Sequence, residues 1–212
     1  MAATLENSMT TPKPPPQADV TYEQFLEWLD GETYAEWIDG KVVLMASANA
    51  QHQDISAFLS ALLRLQVEEQ AAGMALTAPF QMRLSRIRRG RQPDLMFVAK
   101  VGLTRLKPDY LDGGADWIIE IASPESLLRD RGEKFAEYEA SGVKEYWIID
   151  PESKRVDFFV LGEDNRYSRA RQDEDGKYES VVLPGFWINV GWLWKSFLPP
   201  IKQVLKEWEA RG

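Results

Sequence analysis

Two short stretches decide the fold: Asp94-Leu95-Met96-Phe97-Val98 and Trp117-Ile118-Ile119-Glu120-Ile121. Each is an apolar run of strand length, rich in branched and aromatic residues, which is the pattern of a strand buried on both faces. Pro93 sets off the first run. Each also carries one acid, and a carboxylate taken out of water costs several kcal/mol unless it is paired or bound to a metal. An acid at such a position is either a strand-end or ion-paired residue or part of a site. Two such acids in neighbouring strands are harder to assign to the first alternative.

Working outward, Phe135, Ala136 and Tyr138 with Gly142 behind them predict a helix over 130–141, and Glu145 to Ile149 reads as a strand ending before Asp150-Pro151. Upstream, Ile55, Phe58, Leu59, Leu62, Leu63 and Val67 keep the 3.6-residue period and predict the principal helix over 51–72, stopped by Gly73. Met74 to Thr77 and Gln81 to Leu84 read as strands, and Arg86 to Arg91 as an arginine-rich loop. Near the start, Thr21 to Gln24 has capping-box spacing ahead of Phe25, Trp28 and Leu29, with Gly31 as the stop. Tyr34 to Ile38, the Asp39-Gly40 turn and Lys41 to Met45 then predict a two-residue hairpin. Arg155 to Leu161, Tyr167 to Arg171 and Tyr178 to Val182 form an expected antiparallel meander, followed by an amphipathic helix from about Ile201 to Trp208. Residues 1–20, with Pro12 and Pro14 to Pro16, read as a disordered leader in which Met9 is an alternative start. Residues 21–212 read as one domain of the α/β or α+β class, a mixed sheet flanked by helices.

Composition limits the chemistry. The chain has no cysteine and a single histidine, His52, so thiolate zinc sites, disulfides, cysteine nucleophiles and HExxH sites are excluded. At 44% hydrophobic and 27% charged residues the 212-residue chain has the balance of a globular protein. Its net charge of -8 argues against a generally basic nucleic-acid-coating surface. No apolar run approaches the roughly 18 residues of a membrane span, so a cytoplasmic protein without membrane partners is expected. What remains available is a hard-cation site: Asp94 and Glu120, brought to one sheet edge, suit Mg²⁺ or Mn²⁺, which binds through one or two carboxylates with water and phosphate completing the shell. Lys134, with Tyr138 at i+4, lies on the following helix and could direct an ammonium to that edge. Asp130, four residues before it, could hold that ammonium in place. Arg83, Arg86, Arg88, Arg89 and Arg91 form the dense positive series of the chain, open to two readings: phosphate contact, or a solvated hairpin tip that balances nearby acids. His52 shares a helix face with Ile55, Leu59 and Leu62, and both a hydrogen-bonded helix-start histidine and a catalytic base fit it.

Four ordered blocks carry a resemblance. Gln92-Pro93-Asp94, Glu120-Ile121-Ala122-Ser123-Pro124, Asp130-Arg131-Gly132-Glu133-Lys134-Phe135 and Gly142 to Pro151 together resemble the Uma-type family of restriction-endonuclease-like proteins, within the PD-(D/E)XK nuclease superfamily. The likeness spans roughly Thr21 to Trp192. It implies a restriction-endonuclease-like mixed sheet, Asp94 and Glu120 as metal ligands, Glu36 as an additional acidic member, and His52 as a neighbour of the site. The chain departs from the superfamily pattern two residues after Glu120, where Ala122 stands in place of lysine. The resemblance implies that Lys134 supplies the missing ammonium.

The leading expectation is a Mg²⁺- or Mn²⁺-dependent endonuclease acting on nucleic acid, DNA first, with Asp94, Glu120, Lys134, Glu36 and His52 in the site and Arg86, Arg88, Arg89 and Arg91 on the substrate. A two-fold homodimer would serve cleavage of both strands. The alternative is a non-catalytic binding or scaffold module on the same fold, which Ala122 and the acidic surface favour. A carboxylate-pair glycosidase is a distant third.

Overall fold

The computed structural model describes residues 14–17, 19–30 and 33–210. In chain order, helix α1 (Tyr22–Trp28) leads into β1 (Ala35–Ile38), β2 (Lys41–Leu44), the long helix α2 (Ala50–Glu69), and strands β3 (Gly73–Thr77), β4 (Gln81–Leu84), β5 (Arg89–Arg91), β6 (Leu95–Ala99), β7 (Tyr110–Asp112) and β8 (Trp117–Ile121). A single turn α3 (Leu127–Arg129), a π-turn over Asp130–Lys134 and α4 (Phe135–Ala140) follow. Then come β9 (Glu145–Asp150), β10 (Arg155–Leu161), β11 (Tyr167–Ala170), β12 (Lys177–Glu179), β13 (Trp187–Asn189) and α5 (Ile201–Glu209).

The main sheet has six strands in the order β11-β10-β9-β8-β6-β3, in which β8 and β9 run parallel and the other pairs antiparallel. A second sheet has the order β2-β1-β5-β4-β7, and β12 pairs with β13 alone. Strand alternation divides the core. Leu95, Phe97, Trp117, Ile119, Trp147 and Ile149 pack with α2 and the C-terminal segment, whereas Met96, Val98, Ile118, Tyr146 and Ile148 pack with Met82, Leu84 and Leu111 of the second sheet and with Tyr138 of α4. The central strands are therefore covered on both faces, which is why they read as continuous apolar runs. α1 closes the far side of the second sheet through Tyr22, Phe25 and Trp28 against Ala35 and Trp37.

Local rules explain most of the elements. Thr21 and Gln24 exchange the reciprocal capping bonds at the start of α1. Asp39 and Gly40 take φ of 49° and 86° in the β1–β2 turn, the double positive φ that a two-residue hairpin demands. Three expectations need correction. α2 ends at Glu69, and the left-handed residue after it is Ala71, with φ of 47°, which lets Ala72 N–H bond back to the Val67 carbonyl. Gly73 instead starts β3, where a Cβ would lie 2.0 Å from the Val98 carbonyl oxygen, so the need is for close approach. The arginine-rich stretch is not wholly a loop: 89–91 inserts as β5 between β1 and β4. The third meander strand leaves the main sheet, since residues 177–179 pair with β13, whose strand character the sequence reading missed.

Contacts extend ahead of Thr21: Trp28 Nε1 donates to the Pro14 carbonyl and Val20 N–H to that of Gly40. Residues 1–13 of the expected leader, Met9 included, and the expected stop at Gly31 lie outside the described residues. No described helix is long and apolar enough to cross a membrane.

Candidate active site

Asp94 sits at the start of β6 and Glu120 one residue before the end of β8, so both acids reach the same end of the main sheet. There a cleft of about 950 Å³ opens, lined among others by His52, Gln92, Asp94, Glu120, Arg129 and Lys134. The Ile121 amide donates to Asp94 Oδ2 at 2.7 Å, tying the head of β6 to the tail of β8. Asp94 Oδ1 lies 3.0 Å from His52 Nε2. His52 is placed by the start of α2, where Asn49 caps the helix and accepts from the His52 amide. Burial alone would lower the imidazole pKa, but the hydrogen bond and charge of Asp94 outweigh it and raise the value above the ordinary histidine range.

Glu120 is held from the other side. Lys134 Nζ donates to Glu120 Oε1 at 2.9 Å and Tyr138 OH donates to the same oxygen at 2.8 Å. Strand alternation sends Glu120 to the Ile118 face, toward α4, and the π-turn brings Lys134 into register with it. The Lys134 ammonium also lies 3.3 Å from Asp130 Oδ1 and 3.4 Å from Glu36 Oε1. Three carboxylates thus surround one ammonium, and Glu120 accepts its hydrogen bond. Burial would strip the proton from this lysine, but Glu120, Glu36 and Asp130 hold it on and raise the pKa well above the usual value. Burial pushes the Glu120 carboxyl up, Asp130 and Asp94 add to that, and Lys134 opposes them. Asp130 is fixed further by the Ser126 hydroxyl at 2.7 Å.

Glu36 reaches this group from β1. Its other oxygen accepts from Arg91 at 2.6 Å, and Arg91 forms a bidentate pair with Glu137 at 2.7 and 2.8 Å. Burial would raise the Glu36 pKa, yet Lys134 and Arg91 together lower it below the carboxylate norm.

The structure therefore brings Glu36, His52, Asp94, Glu120 and Lys134 together. Of the arginine series it brings only Arg91 against them, through Glu36. Arg91 is 0% exposed and saturated by Glu36 and Glu137, so it is out of reach of a nucleic acid. Arg89 pairs with Asp39 at 2.6 Å and with Glu137 at 2.6 Å. Arg86 and Arg88 are exposed at the β4–β5 tip, next to the Asp39-Gly40 turn, at the end of the second sheet away from the cleft. The reason is strand alternation: residues 89 and 91 share one face of β5, which is turned inward on Glu137. Sequence reasoning missed Gln92, although it adjoins the Pro93-Asp94 pair, and Arg129, for which no spacing rule gives a signal. Among the described residues no group of three or more His, Cys, Asp or Glu forms a ready-made metal cage.

A mixed sheet flanked by helices, with an aspartate at the head of one central strand and a glutamate near the tail of its neighbour, belongs to the class of restriction-endonuclease-like folds. Residues 22–191 match the model of the Uma2 family, described as "Putative restriction endonuclease", and the chain belongs to that family. The chain is similar in structure to a "putative nuclease belonging to DUF820" from Anabaena variabilis ATCC 29413, with a TM-score of 0.69 and 17% sequence identity over 84% of this chain and 98% of that one. At that identity the likeness speaks for the fold. No curated protein matches the chain in sequence.

Proposed function

We propose that the chain is a divalent-metal-dependent endonuclease that hydrolyses phosphodiester bonds in DNA. The observation that carries this reading is the convergence of Asp94 and Glu120 on one cleft wall, with the Lys134 ammonium 2.9 Å from Glu120. The donor set fits a hard cation: two carboxylates lining one cleft are what Mg²⁺ or Mn²⁺ uses when water and substrate phosphate fill the remaining positions. Asp94 and Glu120 would hold the ion, which when bound supplies charge neutralisation at the scissile phosphate and a bound water of lowered pKa. The protein's own part is orientation. The Ile121 amide and His52 fix the Asp94 carboxylate, and Lys134 and Tyr138 fix that of Glu120. A homodimer acting in the cytoplasm on both strands of a duplex accords with this reading.

The second reading, a non-catalytic module on the nuclease fold, draws on one observation: the Lys134 ammonium, which stands in for the residue at Ala122, donates to Glu120 and lies within 3.4 Å of Glu36 and Asp130, so its charge is already engaged. Cleavage decides between them. Plasmid DNA and single-stranded oligonucleotides incubated with Mg²⁺ or Mn²⁺ should be cut by the parent protein and not by Asp94→Ala. Absence of cleavage with either ion would turn the assignment to the binding module.

A further inference from the structure

The cleft poses an electrostatic problem for any nucleic acid. Its charged lining comprises Asp94, Glu120, Glu125 and Glu152 against Arg129 and Lys134, with His52 beside Asp94. Lys134 donates to Glu120 and its charge is shared with Glu36 and Asp130, so its ammonium is already neutralised within the protein. Arg129 differs. It lies on the one-turn helix α3 at the cleft wall, its Nε is buried without a hydrogen-bond partner, and its charge is felt by the Glu36 carboxylate without a salt bridge of its own among the described residues. Gln92 shows the same feature. The residue is 7% exposed, lines the cleft two positions before Asp94, and has a buried Nε2 that donates to nothing. Buried donors are almost always satisfied, and each one left orphaned costs on the order of 1–3 kcal/mol. Unpartnered buried donors also occur in the closed core, at Tyr22 OH and Trp117 Nε1, but Arg129 and Gln92 line the cleft, where an acceptor can arrive from outside, and next to a guanidinium that acceptor is an anion.

The geometry points to Arg129 and Gln92 as a phosphate-binding pair that takes a phosphate group of the nucleic acid beside Asp94 and Glu120. The inference rests on the nuclease reading and names the residues that grip its substrate. The two cations of the cleft then have separate roles, Lys134 positioning Glu120 and Arg129 meeting the substrate charge. The guanidinium presents a planar fork that matches phosphate oxygens, and the Gln92 amide supplies a neutral donor without adding repulsion.

The test is isothermal titration of inorganic phosphate into the full chain, with Mg²⁺ present and with EDTA, for the parent, Arg129→Gln, Gln92→Leu and the remote surface variant Arg171→Ala. Saturable binding is expected in the parent and in Arg171→Ala. It should weaken at least about tenfold in Arg129→Gln and about threefold in Gln92→Leu, as expected for a charge-assisted and a neutral hydrogen bond. Melting curves check folding. Should Arg129→Gln fail to fold, Arg129→Met carries the test, and parental affinity in it overturns the pair. Absence of saturable phosphate binding to the parent under both conditions, or undiminished affinity in Arg129→Gln, also overturns it. DNA cleavage by the same proteins separates the two ideas. Arg129-dependent phosphate binding with no cleavage by the parent leaves the anion site standing and removes the nuclease, whereas cleavage by the parent with parental affinity in Arg129→Gln does the reverse.

Discussion

Two buried glutamates stand on adjacent parallel strands, Glu120 on β8 and Glu145 on β9, and their surroundings differ in kind. The register sets Glu145 opposite Trp117 and Glu120 opposite Ile148, so the two lie toward opposite ends of the strand pair. They also lie on opposite faces, Glu145 with Trp147 and Ile149, Glu120 with Ile118. Glu145 accepts from Trp147 Nε1 at 2.7 Å, the Ser180 hydroxyl at 2.7 Å and the Val182 amide at 3.1 Å, all neutral donors. It serves as an acceptor that anchors the segment after β12 to the main sheet. Glu120 instead holds a buried ammonium and looks into a cleft. A buried acid in a strand is therefore only half a signal. The other half is whether its partners are neutral and closed over it, or charged with space beside them.

The largest expected effect breaks the comparison in activity. Glu120→Gln and Asp94→Ala should each lower single-turnover cleavage with Mn²⁺ by about 10³-fold, the scale on which a transition-state stabiliser acts. Glu145→Gln should leave the rate within about twofold. A large rate loss in Glu145→Gln at retained folding would erase the distinction. Next in size, Lys134→Met leaves the Glu120, Glu36 and Asp130 carboxylates without their shared cation. Stranding one side of a buried ion cluster costs about 3–5 kcal/mol, which urea denaturation would read. A variant as stable as the parent would mean that the three carboxylates take up protons or water without strain.

Much of this was legible in the chain itself. Phe25 and Trp28 behind a capping box, Asp39-Gly40 between short apolar runs, and the period of Ile55 to Val67 each state their element locally, because the physics that sets them acts within a few residues. The acids Asp94 and Glu120 could be read because charge is rare in buried strands. What could not be read depended on distant partners. The pairing of residues 177–179 with β13 rather than β11 is a tertiary choice, and the inward turn of Arg91 onto Glu36 and Glu137 needs the β1–β5 register. The arginine series illustrates the cost of missing that register: five arginines along 83–91 looked like one patch, while alternation in β5 buries Arg91 and leaves Arg86 and Arg88 at the tip.

A third prediction uses pH, and its sign separates Glu36, held by two cations, from Glu145, held by neutral donors. Burial raises the Glu145 pKa against the pull of Ser180, Trp147 and Val182. A carboxyl whose folded pKa lies above its unfolded value contributes stability that is fully present below the ordinary glutamate range and is lost as pH rises through the folded value. Glu36, lowered by Lys134 and Arg91 despite its burial, works in the opposite sense: its contribution is present above the ordinary range and is lost as pH falls. Melting temperatures from pH 4 to 8 should therefore show the parent's advantage over Glu145→Gln shrinking as pH rises, and its advantage over Glu36→Gln growing. Parallel trends in the two differences would contradict this division.

The smallest effect concerns the β4–β5 tip. Arg88 carries a φ of 53°, which glycine adopts without the steric cost that a Cβ imposes, about 1 kcal/mol. Its guanidinium stands 5.8 Å from the Trp37 ring centre, a partly exposed cation–π contact of about 0.5 kcal/mol. Relief of backbone strain outweighs loss of that contact, so Arg88→Gly should leave stability unchanged or raise it by up to about 0.5 kcal/mol, read by urea denaturation. Because the tip lies away from the cleft, cleavage and salt dependence should stay within about twofold of the parent in Arg88→Gly and in Arg86→Ala. A loss of DNA affinity in Arg86→Ala that grows as salt is lowered would return this end of the second sheet to the substrate path. It would also imply that a duplex runs along the sheet toward the cleft rather than entering it directly.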